Sequence, residues 1–149
     1  MEPLGRLALA AVAVVVAGCG ESAAKPAARA VPLPTIATRF TPLPCPHSVS
    51  ARGSTVGIEG CQEHTILRTN AHIRVLERSI FKRLSGAGRR RFGRGERAWL
   101  AYRDNMCEAE DSPFSGGTIQ PVLNAACTAD ANRAHISTLG GFFKTIHPG

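Results

Sequence analysis

Four cysteines past the N-terminal region, Cys45, Cys61, Cys107 and Cys127, constrain this chain more than any other feature. Where disulfides persist, four cysteines make two bridges, and a small helical or irregular domain can rest on them. Four cysteines allow three pairings, and spacing alone does not choose among them. Any bridge closes a loop of sixteen residues or more, which constrains the unfolded chain by on the order of a few kcal/mol. The rival use is a zinc site from Cys45, His47, Cys61 and His64, four borderline or soft ligands. That site would strand Cys107 and Cys127, and the expected metal content is none.

The start of the chain argues for the oxidising compartment. Met1–Arg6 holds one basic residue, and Leu7–Ala17 is an unbroken run of eleven apolar residues that ends in Val16-Ala17-Gly18-Cys19. A basic residue held on the cytoplasmic side, an apolar helix and small residues at the cut describe a signal peptide. A cysteine directly after the cut describes a lipoprotein, with Cys19 taking a diacylglycerol. Eleven residues fall well short of the roughly 20 that span a bilayer. The expected organisation is a signal peptide at 1–18, a lipidated Cys19 with an Ala/Pro-rich spacer to residue 44, and a folded domain at 45–149. The expected location is the cell membrane, lipid-anchored, on its extracytoplasmic side.

The spacer reading rests on prolines at 26, 32, 34, 42 and 44 and on the absence of an amphipathic period. Residues 45–60 read as irregular, because Gly53, Gly57 and Gly60 oppose a long helix. Past Cys61 the pattern becomes helical. Ile66, Ile73, Leu76, Ile80 and Leu84 recur at helical spacing with arginines largely between them. This predicts a helix over 61–85, ended by Ser85-Gly86-Ala87-Gly88. A second is expected to begin near 93–96 and end by 107–111, before Ser112-Pro113. A third is expected over 119–139, with Thr118 as its cap, Pro121 in its first turn and Gly140-Gly141 at its close. No segment alternates as a strand. The fold class is all-α: a small bundle of about three helices stapled by two disulfides, after a disordered N-terminal tether.

These helices carry a resemblance. The stretch Arg97-Ala98-Trp99-Leu100-Ala101-Tyr102-Arg103-Asp104-x-x-Cys107, then Gly116-Gly117-Thr118, then Cys127 with Leu139 twelve residues on, resembles the LprI-type domain. The resemblance runs from about Thr55 to Leu139. It departs where this chain has Asn70-x-x-Ile73-Arg74-x-x-Glu77, Gly95-Glu96, Asn132 and His135. It implies a disulfide-stapled helical domain outside the cell and, for the founding member, inhibition of lysozyme. Read from the residues alone, the motif is scaffold: Trp99 and Tyr102 fill the core, and Arg103 and Asp104 fix helix ends by ion pairing or capping. Gly116-Gly117 reads as a loop that needs positive backbone dihedrals, and second as a binding tip.

Charge is the remaining clue. The net charge is +7. Removal of 1–18 takes one acid and one base and leaves it unchanged. Eleven basic residues stand between Arg68 and Arg103 against Glu77 and Glu96 alone, followed by the acidic group Asp104, Glu108, Glu110 and Asp111. The knot Arg89-Arg90-Arg91-Phe92-Gly93-Arg94 is placed in the first interhelical connection, as a solvated turn or as an anion-binding patch. Its expected partners are a lysozyme or related wall hydrolase, or an anionic wall polymer; export argues against nucleic acid.

A guanidinium from Arg89, Arg90, Arg91 or Arg94 suits a glycosidase cleft that works with two carboxyl groups. Many animal-type lysozymes are themselves cationic, which leaves the choice between these arginines and the acidic group at Asp104 to Asp111 open. His47, His64, His72, His135 and His147 show no metalloprotease spacing, and neither Gly-x-Ser-x-Gly nor a phosphate-cradling glycine loop occurs. The expected function is inhibition of lysozyme without catalysis or cofactor. The alternative is a structural or interaction lipoprotein with a basic face.

Overall fold

A computed structural model describes residues 32–147. The signal peptide, Cys19 and the first part of the expected spacer lie outside the described residues. Three long helices form the body: α2 (Thr55–Arg83), α3 (Gly86–Asp111) and α4 (Gln120–Thr145). The short helix α1 (Val49–Arg52) precedes them, and a 3₁₀ turn (Ser112–Phe114) stands between α3 and α4. No strand occurs among the described residues, so the class is all-α as expected.

The core follows from the spacing along α2. Glu63, Ile66, Asn70, Ile73, Glu77 and Ile80 are all buried, and their steps alternate between three and four. Such a pattern keeps one narrow seam facing a partner helix. Isoleucine fills one column of the seam, and Glu63, Asn70 and Glu77 fill the other. On α4 the buried Val122, Ala125, Ala129, Asn132 and Leu139 form the answering seam. Ile66 packs with Ala125 and Ala129, Asn70 meets Asn132, and Ile73 and Ile80 pack with Leu139. The numbers rise together, so α2 and α4 run parallel.

Helix α3 runs the other way. It meets α4 through Cys107–Cys127, Arg103–Asn132, Glu96–His135 and Phe92–Phe142. The bundle therefore has two distinct ends. One carries both disulfides, Cys45–Cys61 and Cys107–Cys127. The other gathers the last turn of α2, the first turns of α3 and the last turn of α4.

Residues 32–44 correct the expected spacer. They have no helical structure, yet they pack along α2 in the opposite direction. The Leu43 amide donates to Glu63 Oε2 at 2.7 Å, Phe40 packs on the Ile66 cluster, and Ile36 is buried beside Ile73, Ile80 and Leu139. Proline bars a helix but not burial in a groove. Two apolar residues four apart show no period, so the packing left no pattern to read.

Other boundaries also move. Helix α2 begins at Thr55, not 61, behind Ser54, whose hydroxyl accepts from the Gly57 amide at 3.1 Å. Gly57 and Gly60 sit inside it because other backbone passes too close for a side chain: a Cβ on Gly60 would stand 2.4 Å from the Pro44 carbonyl oxygen. The Ser85–Gly88 stretch does not form a terminating loop. α2 ends at Arg83, and Ser85 Oγ caps α3 by accepting from the Gly88 amide at 3.2 Å, so only Leu84 and Ser85 connect the two helices.

Arg89–Arg94 thus stand in the first turns of α3, not in a connection, which is a correction. Nor does Gly140-Gly141 end α4, which continues to Thr145. Phe143 and Ile146 pack against the core beyond it, and that burial outweighs the roughly 1 kcal/mol that each helical glycine costs. Thr118 is not the cap: Ile119 holds that position without a side-chain bond, while Pro121 lies in the first turn as expected.

Candidate functional site: an acidic groove at the disulfide end

At the disulfide end the extended segment, early α2, late α3 and early α4 enclose a groove of about 590 Å³. Five carboxylates line it, Glu59, Glu63, Asp104, Glu108 and Asp111, against Arg39 and Arg103. Three of the five are engaged. Glu63 holds the Leu43 amide. Asp111, buried, accepts from Gln120 Nε2 at 3.0 Å and from Asn124 Nδ2, which fixes the turn between α3 and α4. Asp104 accepts from Arg103 Nε and Nη2 at 2.9 and 2.6 Å, and Arg39 stands 3.7 Å away.

Among the described residues no ion pair engages Glu59 or Glu108. Desolvation, then the neighbouring Glu63 carboxylate, raises the pKa of Glu59 above its ordinary value.

The floor of the groove is a buried hydrogen-bond chain. Arg103 Nη1 donates to Asn132 Oδ1 at 3.1 Å, and Asn132 Nδ2 donates to Thr69 Oγ1 at 2.8 Å and to Asn70 Oδ1 at 2.9 Å. The chain links all three long helices. The guanidinium also lies 5.3 Å over the Trp99 ring. At the rim, the connection from α3 to α4 exposes Phe114 and Ile119. Gly116 has φ +78°, a conformation that favours glycine, and its amide donates to Gln120 Oε1 at 3.0 Å.

A second polar cluster lies further along the bundle. His135 Nε2 meets Glu96 Oε2 at 2.8 Å, and the Trp99 ring stacks on the imidazole at 3.6 Å with 8° between the planes. Glu77 faces Glu96. Burial first, then the Glu96 charge, push the Glu77 carboxyl up to about 8 against the partial opposition of Arg74 and Arg78. Burial beside Glu96 thus favours the protonated form of Glu77. His135 is satisfied inside the bundle, and His72 is exposed.

The residues singled out by sequence fall in different places. Trp99 is half-buried as scaffold, but Tyr102 is 62% exposed and does not fill the core. It stands one residue from buried Arg103, about 100° round the helix, and so points away. Arg103 and Asp104 do not fix helix ends; they lie mid-helix under the groove. The Cys45–Cys61 bridge removes the thiolates that the zinc alternative needs. Gly116 and Gly117 lie in the expected loop, with a positive φ at Gly116 and not at Gly117. Arg89 is occupied: Nε donates to the Phe81 carbonyl at 2.9 Å and Nη2 to that of Lys82 at 3.2 Å, closing the end of α2. Arg90, Arg91 and Arg94 are exposed, at the end opposite the groove.

Glu63, Asn70, Glu77, Glu96 and Asn132 were missed as site-forming residues. The polar column at positions 63, 70 and 77, in step with the isoleucines, was the signal available for the first three.

These features define a class, a helical bundle stapled by disulfides that presents an acidic groove with an apolar rim. The chain matches the family described as "Lysozyme inhibitor LprI" over residues 45–139 and belongs to it. That description names an inhibitor, not an enzyme. An uncharacterized protein of Rhizobium meliloti (strain 1021) is 35% identical over 46 residues, 31% of this chain. The match spans 33% of the length of that relative. No solved structure matches the chain.

Proposed function

We propose that this protein inhibits a lysozyme by docking the groove at its disulfide end against a basic border of the enzyme's cleft, with the Phe114–Ile119 loop at the contact. The observation that carries the reading is the clustering of acids: the acidic groove stands beside the exposed apolar loop, and the exposed cluster Arg90, Arg91 and Arg94 lies at the far end. A cationic enzyme is steered to the acidic end and repelled by the other. Glu59 and Glu108, in no ion pair among the described residues, are the groups available to an arginine or lysine of the enzyme. Phe114 supplies apolar area that water leaves on contact. Mechanistically this is exclusion of the polysaccharide rather than chemistry.

We further propose that Cys19 carries lipid and holds the domain on the extracytoplasmic face of the membrane. The support is the sequence before residue 20 and the two disulfides, which suit an oxidising compartment.

The test adds the oxidised chain from residue 20 onward to lysozymes of several classes acting on cell-wall particles. Slowed lysis at micromolar excess is expected, with inhibition weakened by Glu59→Gln with Glu108→Gln and by Phe114→Ser. Undiminished lysis in every class would sink the reading. Inhibition that survives the acidic and Phe114 changes but is lost in Arg90→Ser/Arg91→Ser/Arg94→Ser would restore the arginine plug. For the anchor, incorporation of labelled palmitate is expected in the whole chain and not in Cys19→Ala.

A further inference from the structure

Among the described residues, the end of the bundle opposite the groove is basic with no exposed acid beside it. Lys82 on α2, Arg90, Arg91 and Arg94 on α3 and Lys144 on α4 are all exposed there. Between Glu63 and Asp104 the acids are Glu77 and Glu96, both buried. After Asp130 no acid follows. Phe142 is 38% exposed at the same end, beside Phe92 at 6.1 Å between ring centroids. Guanidinium and ammonium groups around an exposed aromatic ring suit a surface that is anionic outside and apolar just beneath.

The path of the extended segment points to the same end. From Cys45 at Cys61 it passes Leu43 at Glu63 and Phe40 at Ile66 to Ile36 among Ile73, Ile80 and Leu139. Extended chain advances roughly 3.3 Å per residue against 1.5 Å along a helix. Four more residues therefore bring Pro32 level with the last turns of α2. The thirteen residues from Cys19 to Val31 span at most roughly 45 Å. The chain that leads back to Cys19 therefore leaves the described fold at the basic end and not at the groove.

We infer that this basic end is a docking face for anionic phospholipid, which seats the domain on its membrane and turns the acidic groove outward. The orientation rests on the lipidated Cys19 proposed above; the affinity of the face for anionic lipid does not, and the two are tested apart. The oxidised chain from residue 20 onward contains every contact described here and no lipid. It is pelleted with vesicles of phosphatidylcholine containing phosphatidylglycerol and with vesicles of phosphatidylcholine alone.

Pelleting with the anionic vesicles only is expected, weakened by salt. Each arginine removed should lower partitioning roughly five-fold, so Arg90→Ser/Arg91→Ser/Arg94→Ser should lose about a hundred-fold. Arg89 stays in place because it closes α2. Lys82→Ser with Lys144→Ser should weaken binding in the same direction, and Glu59→Gln with Glu108→Gln should not weaken it. Equal pelleting with both vesicles, or full binding by the triple variant, would overturn the inference. So would failure to pellet with anionic vesicles by protein that binds purified anionic wall polymer, which would assign the face to the wall. Absence of palmitate at Cys19 would remove the orientation and leave the lipid-binding result standing.

Discussion

Single residues carry unusual loads where three helices share polar groups. Glu77 lies buried against Glu96 on α3, near His135 on α4, with Arg74 and Arg78 on its own helix. Its carboxyl is raised to about 8 in the folded protein and returns to its ordinary value on unfolding. The folded state thus binds the extra proton, and its contribution to stability is fully present below about 4.5. It is lost as pH climbs through about 8. Thermal unfolding followed by circular dichroism should show this contribution decline across that window, and Glu77→Gln should flatten it. Gly60 answers to space rather than charge. Gly60→Ala brings a Cβ within 2.4 Å of the Pro44 carbonyl oxygen, and urea unfolding should register a loss of about 1–3 kcal/mol.

At the scale of elements, the connection between α2 and α3 is short because both helices are closed by side chains. Ser85 serves the start of α3 and Arg89 the end of α2, with its guanidinium 5.3 Å over the Phe81 ring. Arg89→Ala should cost about 1–2 kcal/mol in the same unfolding measurement, whereas Arg90→Ala, at an exposed site, should change stability little. The sequence made helices 2 to 4 visible through their isoleucine and tryptophan spacing. Their ends were not visible, because Gly86–Gly88 and Gly140-Gly141 have the composition of terminators. Burial of Phe92 and Phe143 against the core, a few residues beyond those glycines, holds the first turns of α3 and carries α4 through Gly140 and Gly141.

Across the whole molecule, the extended segment completes the bundle. Parallel α2 and α4 leave a furrow that short side chains such as Ala125 and Ala129 keep open, and Ile36 and Phe40 pack into it. Ile36→Ala should therefore destabilise the fold by about 2 kcal/mol, which chemical denaturation would register. A truly free spacer would show no change. The same segment forms one wall of the acidic groove through Ala37, Arg39 and Phe40, so the site is built partly from residues whose composition reads as linker. The two bundle ends differ in surface: the acidic groove and exposed Phe114 stand at one, and exposed Arg90, Arg91, Arg94 and Phe142 at the other.

Sequence by itself determined the helical class, the number of long helices, the two-bridge arithmetic and the family resemblance, because periodicity and cysteine count are local properties. Tertiary structure alone chose Cys45–Cys61 and Cys107–Cys127 among three pairings, since pairing depends on which helix ends meet. It also decided that the cluster Arg89 to Arg94 and the acidic group stand at opposite ends. The arginines lie early on α3 and the acids late on it, and only the length of one unbroken helix between them sets that distance. Finally, it gave Arg103 its place: the motif marked the residue, but its work beneath the groove depends on Asn132 and Asn70, brought to it by the packing of two other helices.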